Sequence, residues 1–298
     1  MLVGTNADVT QRGRAAFAGR LAELGWRERV NIDFEVRYAE GIAANFEPLA
    51  AEMVARKPDL IWAAFGPFAA VVKKHTRNIP IVFANADDPV GLGLVASLAR
   101  PGGNATGPST RSTELIGKRL QLLKETLPSL SRIGVVRRVG ILKIADSELQ
   151  LEELKRAAAK LGLQVIEVQY EHSRPEDLGP AFAELAGKRV EAVASVLRWN
   201  FIQQREFARH AAQARLATIC DTPEFVEAGA LMSYSVNLLD HVRKSAEYVN
   251  RILRGTKPAD LPVEEPTVFE LVVNQKTARA LGIKIPQTVL LRADRVIE

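Results

Sequence analysis

The residues able to do chemistry in this 298-residue chain gather where apolar runs end. Ile79–Ala84 is apolar apart from Pro80 and gives way to Asn85-Ala86-Asp87-Asp88-Pro89. Such a run reads as a buried strand and the polar residues as a turn. A helix is then expected to open at Pro89, with Asp88 as its N-cap, because a carboxylate accepts orphan N–H groups and Pro suits the first helical position. In an open parallel sheet, a strand-to-helix turn lies on the edge that meets ligands. Asp87 is open to two readings, a second capping carboxylate or a partner for a ligand ammonium. Phe65-Gly66-Pro67 ends the apolar run Leu60–Phe65 in the same way, and Thr5-Asn6 follows the apolar start of the chain. Helix N-termini at such turns offer unpaired N–H groups and a partial positive charge, suited to a carboxylate or phosphate. Asn6, Gly66, Pro67, Asn85 and Asp87 are the candidate contacts here.

A second set of turns follows later apolar runs, at Arg137–Val139, Leu197–Asn200 and Asp221–Pro223. Trp199 either stacks on a flat or aliphatic ligand or packs within the fold. Arg138, Asn200 and Thr222 are the other candidates on this side. Catalytic constellations are missing from the sequence. There is no G-x-S-x-G elbow, no Walker A loop and no G-x-G-x-x-G fingerprint after a strand. His75, His172, His210 and His241 are scattered without metal-ligand spacing, and His210 and His241 are expected on helix surfaces. Cys220 reads as a small core residue rather than a nucleophile. No enzyme activity, no cofactor and no metal are expected.

The elements that must position these turns alternate between helix and strand patterns. Phe17, Leu21 and Leu24 form a helical stripe closed by Gly25, and Asn31–Tyr38 alternates as a half-exposed strand. Asn45 is placed to cap a helix with the stripe Phe46, Leu49, Ala50, Met53 and Val54. Further helix stripes run through Leu120, Leu154, Phe182 and Phe201–Ala214, and Ser173 with Glu176 fits a capping box. Strands are expected at Ile133–Val136, Val165–Tyr170, Ala192–Leu197, Leu216–Cys220, Ala230–Val236 and Phe269–Val273, with a Pro-rich surface segment at Gly255–Pro266. Two sets of βα units argue for two doubly wound α/β lobes. A hydrophobic share of 47% and a charged share of 25% suit a globular protein. The net charge of +5 is spread along the chain, so no nucleic-acid partner is expected.

Long strings carry a family resemblance. PIVFANADDPVGLGLVASLARPGGNATG, PEFVEAGALMSYSVN at Pro223–Asn237, GTKPADLPVEEPTVFELVVNQKTARALG at Gly255–Gly282 and the terminal RADRVIE resemble ABC-transporter substrate-binding proteins of the periplasmic-binding-protein type I superfamily. The subfamily includes members that bind aromatic amino acids. The resemblance implies two Rossmann-like lobes joined by a three-segment hinge, residues 1–108 plus 230–266 and residues 109–229 plus 267–298. It implies that Ser233 and Tyr234, on the strand leading back to the first lobe, face an interlobe cleft. The implied function is capture of a small polar solute, an amino acid or related carboxylate, by hinge closure, for delivery to an ABC permease.

The chain departs from its relatives where Arg137-Arg138-Val139 stands in a turn that usually carries small polar residues such as Asn and Pro, and Arg198 stands in the next turn. Arginines there would favour an anionic ligand group through bidentate hydrogen bonds. The resemblance places the protein in the periplasm or anchored outside the cytoplasmic membrane, as a monomer or weak dimer. Met1-Leu-Val-Gly-Thr-Asn reads as the tail of a strand with no secretory signal, so the start codon is expected further upstream. The rival readings are a cytoplasmic small-molecule sensor and an enzyme using the same cleft.

Overall fold

Apolar residues spaced by two, alternating with helices that carry apolar stripes, build sheets covered on both faces. A computed structural model describes residues 2–3, 7–39, 43–138, 145–170, 178–195 and 201–298. The chain divides into two units, Met1–Arg111 with Asn237–Thr267, and Ser112–Val236 with Val268–Glu298. It therefore passes from one unit to the other three times.

The first unit contains β1 (Leu2–Val3), α1 (Ala7–Glu23), β2 (Arg37–Tyr38), α2 (Phe46–Ala55), β3 (Ile61–Ala63), α3 (Gly66–His75), β4 (Ile81–Phe83) and β5 (Ala105–Thr106). The strands are all parallel, in the order β2-β1-β3-β4-β5. Alternation sorts the side chains. Ile61, Ala63, Ile81 and Phe83 pack against Ala50 and Met53 of α2 and Phe68, Ala69 and Val72 of α3. Trp62, Val82 and Ala84 face the other way, toward Phe17 and Leu21 of α1.

Three local expectations change. No helix opens at Pro89; residues 89–93 form turns, with Asp88 Oδ1 accepting from the Gly91 amide at 2.8 Å and Gly93 at φ +66 breaking the coil. The turn is held from outside, because Lys73 Nζ donates to the carbonyls of Gly93 at 2.6 Å and Leu94 at 2.9 Å. Asn45 precedes α2 but makes no side-chain cap bond; its amide reaches the Ala39 carbonyl at 3.4 Å. The Asn31–Tyr38 strand shrinks to Arg37–Tyr38, although Ile32, Phe34, Val36 and Tyr38 do share one face, on the Phe17 and Trp62 cluster.

The second unit follows with α4 (Leu115–Thr126), β6 (Arg132–Arg138), α5 (Ala145–Lys160), β7 (Gln164–Tyr170), α6 (Leu178–Gly187), β8 (Ala192–Ala194), α7 (Phe201–Gln213), β9 (Ala217–Cys220), α8 (Pro223–Glu227) and β10 (Met232–Ser235). The chain then returns to the first unit as α9 (Leu238–Leu253), which lays Val242, Ala246, Tyr248 and Val249 on the Trp62 face. Trp62 Nε1 donates to Ser245 Oγ at 2.7 Å across that buried contact. Finally β11 (Glu270–Asn274), α10 (Gln275–Leu281), α11 (Gln287–Leu290) and β12 (Arg295–Ile297) complete the second unit.

Its sheet runs β12-β11-β10-β9-β8-β6-β7, with β10–β11 the antiparallel pair. This differs from the expected division of the chain. Residues 230–236 are expected in the first unit, yet Met232–Ser235 hydrogen-bonds between β9 and β11 in the second sheet. The return to the first unit comes after Val236. The Pro-rich segment also differs from a free surface stretch. Leu261 and Val263 are buried, Thr106 Oγ1 donates to the Leu261 carbonyl at 2.6 Å, and Tyr248 Oη donates to the Pro262 carbonyl at 2.8 Å. Among the described residues no helix is long and apolar enough to cross a membrane.

Candidate functional site

In the first unit, β3 and β4 end side by side, and the turns after them are locked together. Gly66 opens α3, and its amide donates to the Asn85 carbonyl at 2.8 Å. A Cβ on Gly66 would lie 3.0 Å from Ala86 Cβ and 2.8 Å from Leu92 Cδ1, so only glycine allows the turns to approach this closely. Pro67 sits in the first turn of α3 behind the extended Phe65. Asn85 Nδ2 donates back to the Ala64 carbonyl at 3.2 Å. That bond orients the amide and leaves Asn85 Oδ1 buried without a partner.

The segment after β5 lies against the same turn. Ser109 pairs with Ala86 in a parallel bridge, the Thr110 amide donates to the Ala86 carbonyl at 2.8 Å, and Ser109 Oγ donates to the Asp87 carbonyl at 3.3 Å. Asp87 is buried and Thr110 Oγ1 is buried without a partner. Sequence reasoning misses Thr110, although the polar run Pro108-Ser109-Thr110 after an apolar strand is the same kind of signal as Asn85–Asp88. The first unit thus brings Gly66, Pro67, Asn85 and Asp87 to one strand-end edge. Asn6 lies outside the described residues.

In the second unit the corresponding edge follows β8, β9 and β10. Ser195 Oγ donates to Asp221 Oδ1 at 3.2 Å. Gln204 Nε2 reaches Thr222 Oγ1 at 3.4 Å, so the Thr222 hydroxyl points to α7 and makes no cap bond on α8. Ser233 and Ser235 are 0% and 2% exposed, and neither hydroxyl has a hydrogen-bond partner.

Tyr234 does not join them. Successive strand residues point to opposite faces, so its ring stacks on Phe269 on the other side, with centroids 5.8 Å apart. Burial, helped by Asp294, raises the Tyr234 phenol above its usual value. The Tyr234 carbonyl accepts from Arg119 Nε at 2.8 Å. Arg119 is 3% exposed and also reaches the Ser112 carbonyl and hydroxyl. This arginine is hidden in the apolar stripe of α4, one residue from Leu120.

Arg137 and Arg138 belong to β6 rather than to the turn after it. Arg137 pairs with Glu167 and with Glu148, the latter at 3.0 Å, so its guanidinium is engaged by neighbouring carboxylates rather than awaiting an anion. The Arg138 side chain lies outside the described residues, as do Arg198, Trp199, Asn200, Ser173 and Glu176.

Two histidines differ from the surface role expected of them. His241, in the first turn of α9, is 7% exposed, and its Nδ1 has no partner. Burial, and then Lys244, pushes its imidazole down to about 4. His210 is half-buried beside Phe182, with ring centroids 6.1 Å apart, and burial lowers its pKa too. Cys220 is fully buried, which pushes its thiol up, away from the reactive thiolate.

Among the described residues, the buried side-chain atoms without partners are on Asn85, Thr110, Glu224, Ser233, Ser235 and His241. An unmet buried polar group costs about 1–3 kcal/mol, so native proteins keep few of them. Those on Asn85 and Thr110 in the first unit, and on Glu224, Ser233 and Ser235 in the second, sit at, or just beyond, the C-terminal ends of parallel strands, while His241 lies in the first turn of α9. That edge can bind a polar solute by hydrogen bonding, and a cluster of three or more metal-ligating side chains is absent among the described residues.

Comparison with known proteins agrees with this architecture. A tyrosine-binding protein of Clostridioides difficile (strain R20291) is 26% identical over 92% of this chain and 77% of its own length. A crystal structure of an ABC domain in complex with L-Trp from Streptococcus pneumonia superposes with a TM-score of 0.87 at 25% identity, covering 99% of this chain and 98% of that one. A conserved domain protein from Vibrio cholerae matches at TM-score 0.87 and 28% identity over 99% and 97%. The fold is that of the type I periplasmic binding proteins. Residues 6–297 match the ABC transporter substrate binding protein family, and the chain belongs to that family.

Proposed function

We propose that this chain is the solute-capturing component of an ABC importer, and that its ligand is an amino acid or a related carboxylate. One observation carries the reading: unpartnered buried polar atoms on Asn85 and Thr110 in the first unit, and on Glu224, Ser233 and Ser235 in the second, gather at strand ends, where doubly wound sheets take ligands. Relatives described as binding tyrosine and L-Trp support an amino-acid ligand. Asn6, Gly66, Pro67, Asn85, Asp87, Arg138, Trp199, Asn200, Thr222 and Ser233 are proposed as ligand contacts, with Thr110 added. The ligand is bound and released unaltered, by closure of the two units about their three connecting segments. An ABC permease is the proposed partner, and the proposed location is periplasmic or membrane-anchored outside the cytoplasm.

Titration calorimetry against a panel of L-amino acids and organic acids tests the assignment. At least one amino acid or carboxylate should bind; failure of every one would overturn it. Asn85→Ala removes one oriented neutral acceptor and should weaken the binding member about tenfold, since a neutral hydrogen bond contributes roughly 0.5–1.5 kcal/mol. Closure is read separately by small-angle scattering, where saturating ligand should shrink the radius of gyration. An unchanged radius would remove the closure step alone.

A further inference from the structure

The face of the second sheet that α8 covers carries two buried hydroxyls and the Glu270 carboxylate. In the β10–β11 pairing Ser235 stands opposite Glu270 and Ser233 opposite Val272. Residues two apart share a face, and directly opposed side chains have Cβ atoms about 5 Å apart. Ser233, Ser235 and Glu270 therefore project together. Phe225 of α8 packs on this face with Cys220 and Ala230.

The α8 carboxylates face Glu270. Arg295 bonds Glu227 at 2.9 Å and lies 3.7 Å from Glu270, linking helix to strand. Burial raises the Glu270 carboxyl above the usual carboxylate range; Arg295 opposes that shift, while Asp294, Glu224 and Glu227 add to it. Glu224, Glu227 and Glu270 thus outnumber the single guanidinium of Arg295.

What this patch lacks is a cation to match its carboxylates. Glu224 Oε2 and the hydroxyl oxygens of Ser233 and Ser235 are buried and unpartnered, with both serines more than nine-tenths buried. An ionised carboxylate only accepts, and each hydroxyl can accept as well. An ammonium supplies three N–H donors and the positive charge the carboxylates call for. We propose that Glu224, Glu270 and the hydroxyls of Ser233 and Ser235 form a subsite for a protonated amine of the ligand. The assignment rests on the reading of this chain as an amino-acid-binding protein and specifies which part of such a ligand the second unit holds.

The test compares L-amino acids with their amine-free counterparts, L-Trp against indole-3-propionate and L-Phe against 3-phenylpropionate among them, by calorimetry on the full chain. The amine-bearing member should bind at least about tenfold tighter, and Glu224→Gln should weaken it by about 10- to 100-fold, as expected for a charge-assisted hydrogen bond. The Ser233→Ala/Ser235→Ala double variant should act in the same direction. Glu224→Gln should leave any amine-free binder within about twofold. Circular dichroism and a melting curve check folding, and Glu270→Gln carries the same expectation should Glu224→Gln fail to fold.

Amine-free analogues binding as tightly as amino acids, or an equal loss for both in Glu224→Gln, would overturn the subsite and leave the importer reading standing. If no amino acid and no carboxylate bound the wild type, both would fall. A melting temperature raised by sodium or potassium chloride over choline chloride, in the wild type and not in Glu224→Gln, would make this a metal-ion site and overturn the amine.

Discussion

His241 shows at the level of one residue how burial writes pH dependence into this protein. Its imidazole is pushed from 6.5 down to about 4, first by burial and then by Lys244, with Asp240 opposing. The unfolded chain therefore binds the proton more readily than the folded one between those values. Stability rises with pH wherever the unfolded state holds more protons, so His241 stabilises the fold in full above pH 6.5 and progressively less as pH falls toward 4. Each tenfold change in proton affinity is worth about 1.4 kcal/mol, which makes the loss attributable to this residue about 3 kcal/mol. Chemical denaturation of wild type and His241→Phe at a series of pH values checks it. The difference in unfolding free energy should change by roughly that amount across the window, and parallel curves would show that His241 does not titrate there.

At the level of elements, the edges of the two sheets depend on close approaches that only some residues permit. Gly107 follows β5 at φ +149, and a Cβ there would lie 2.0 Å from the Phe83 carbonyl oxygen of β4. Neither the backbone conformation nor the contact tolerates a side chain. Gly107→Ala should therefore cost about 3 kcal/mol or more, at the upper end of overpacking effects. A urea melt reads it as a lowered midpoint with an unchanged slope. A loss below about 0.5 kcal/mol, the range of ordinary surface changes, would contradict the geometry. Because Ser109 and Thr110 follow two and three residues later and bond to the Asp87 and Ala86 carbonyls, the same substitution should also weaken ligand binding.

For the whole molecule, the unmet polar atoms in each unit mean that ligand affinity and stability are linked. Anything that binds the folded chain alone stabilises it, by about 2.7 kcal/mol when present at roughly a hundred times its dissociation constant. A ligand found by calorimetry should raise the melting temperature accordingly, and Asn85→Ala should show a smaller rise at the same ligand concentration. An identical rise in both would separate Asn85 from the site.

Much of the fold is legible in the residues themselves. Ile61, Ala63, Ile81 and Phe83 alternate with Trp62 and Val82, and that period of two sorts them onto the two faces of the first sheet. Gly66, Asn85 and Asp87 are legible as edge residues because polar turns ending buried strands have few other uses. Local pattern fails where distant contacts compete with it. Pro89 begins turns rather than a helix because Asp88 and Lys73 tie up its neighbours.

The buried state of Arg119 and His241 cannot be read from stripes that place them beside apolar residues without saying what covers them. Tyr234 and Ser233 are adjacent in sequence, yet strand geometry parts them to opposite faces, and Ser233 gains its meaning from Ser235, Glu224 and Glu270. By itself the sequence determined the order of elements and the apolar faces, since periodicity is a local property of the chain. Which polar atoms end up buried together without partners was decided only by tertiary structure, because that depends on residues far apart in sequence being folded onto one edge, as Ser233 and Glu270 are.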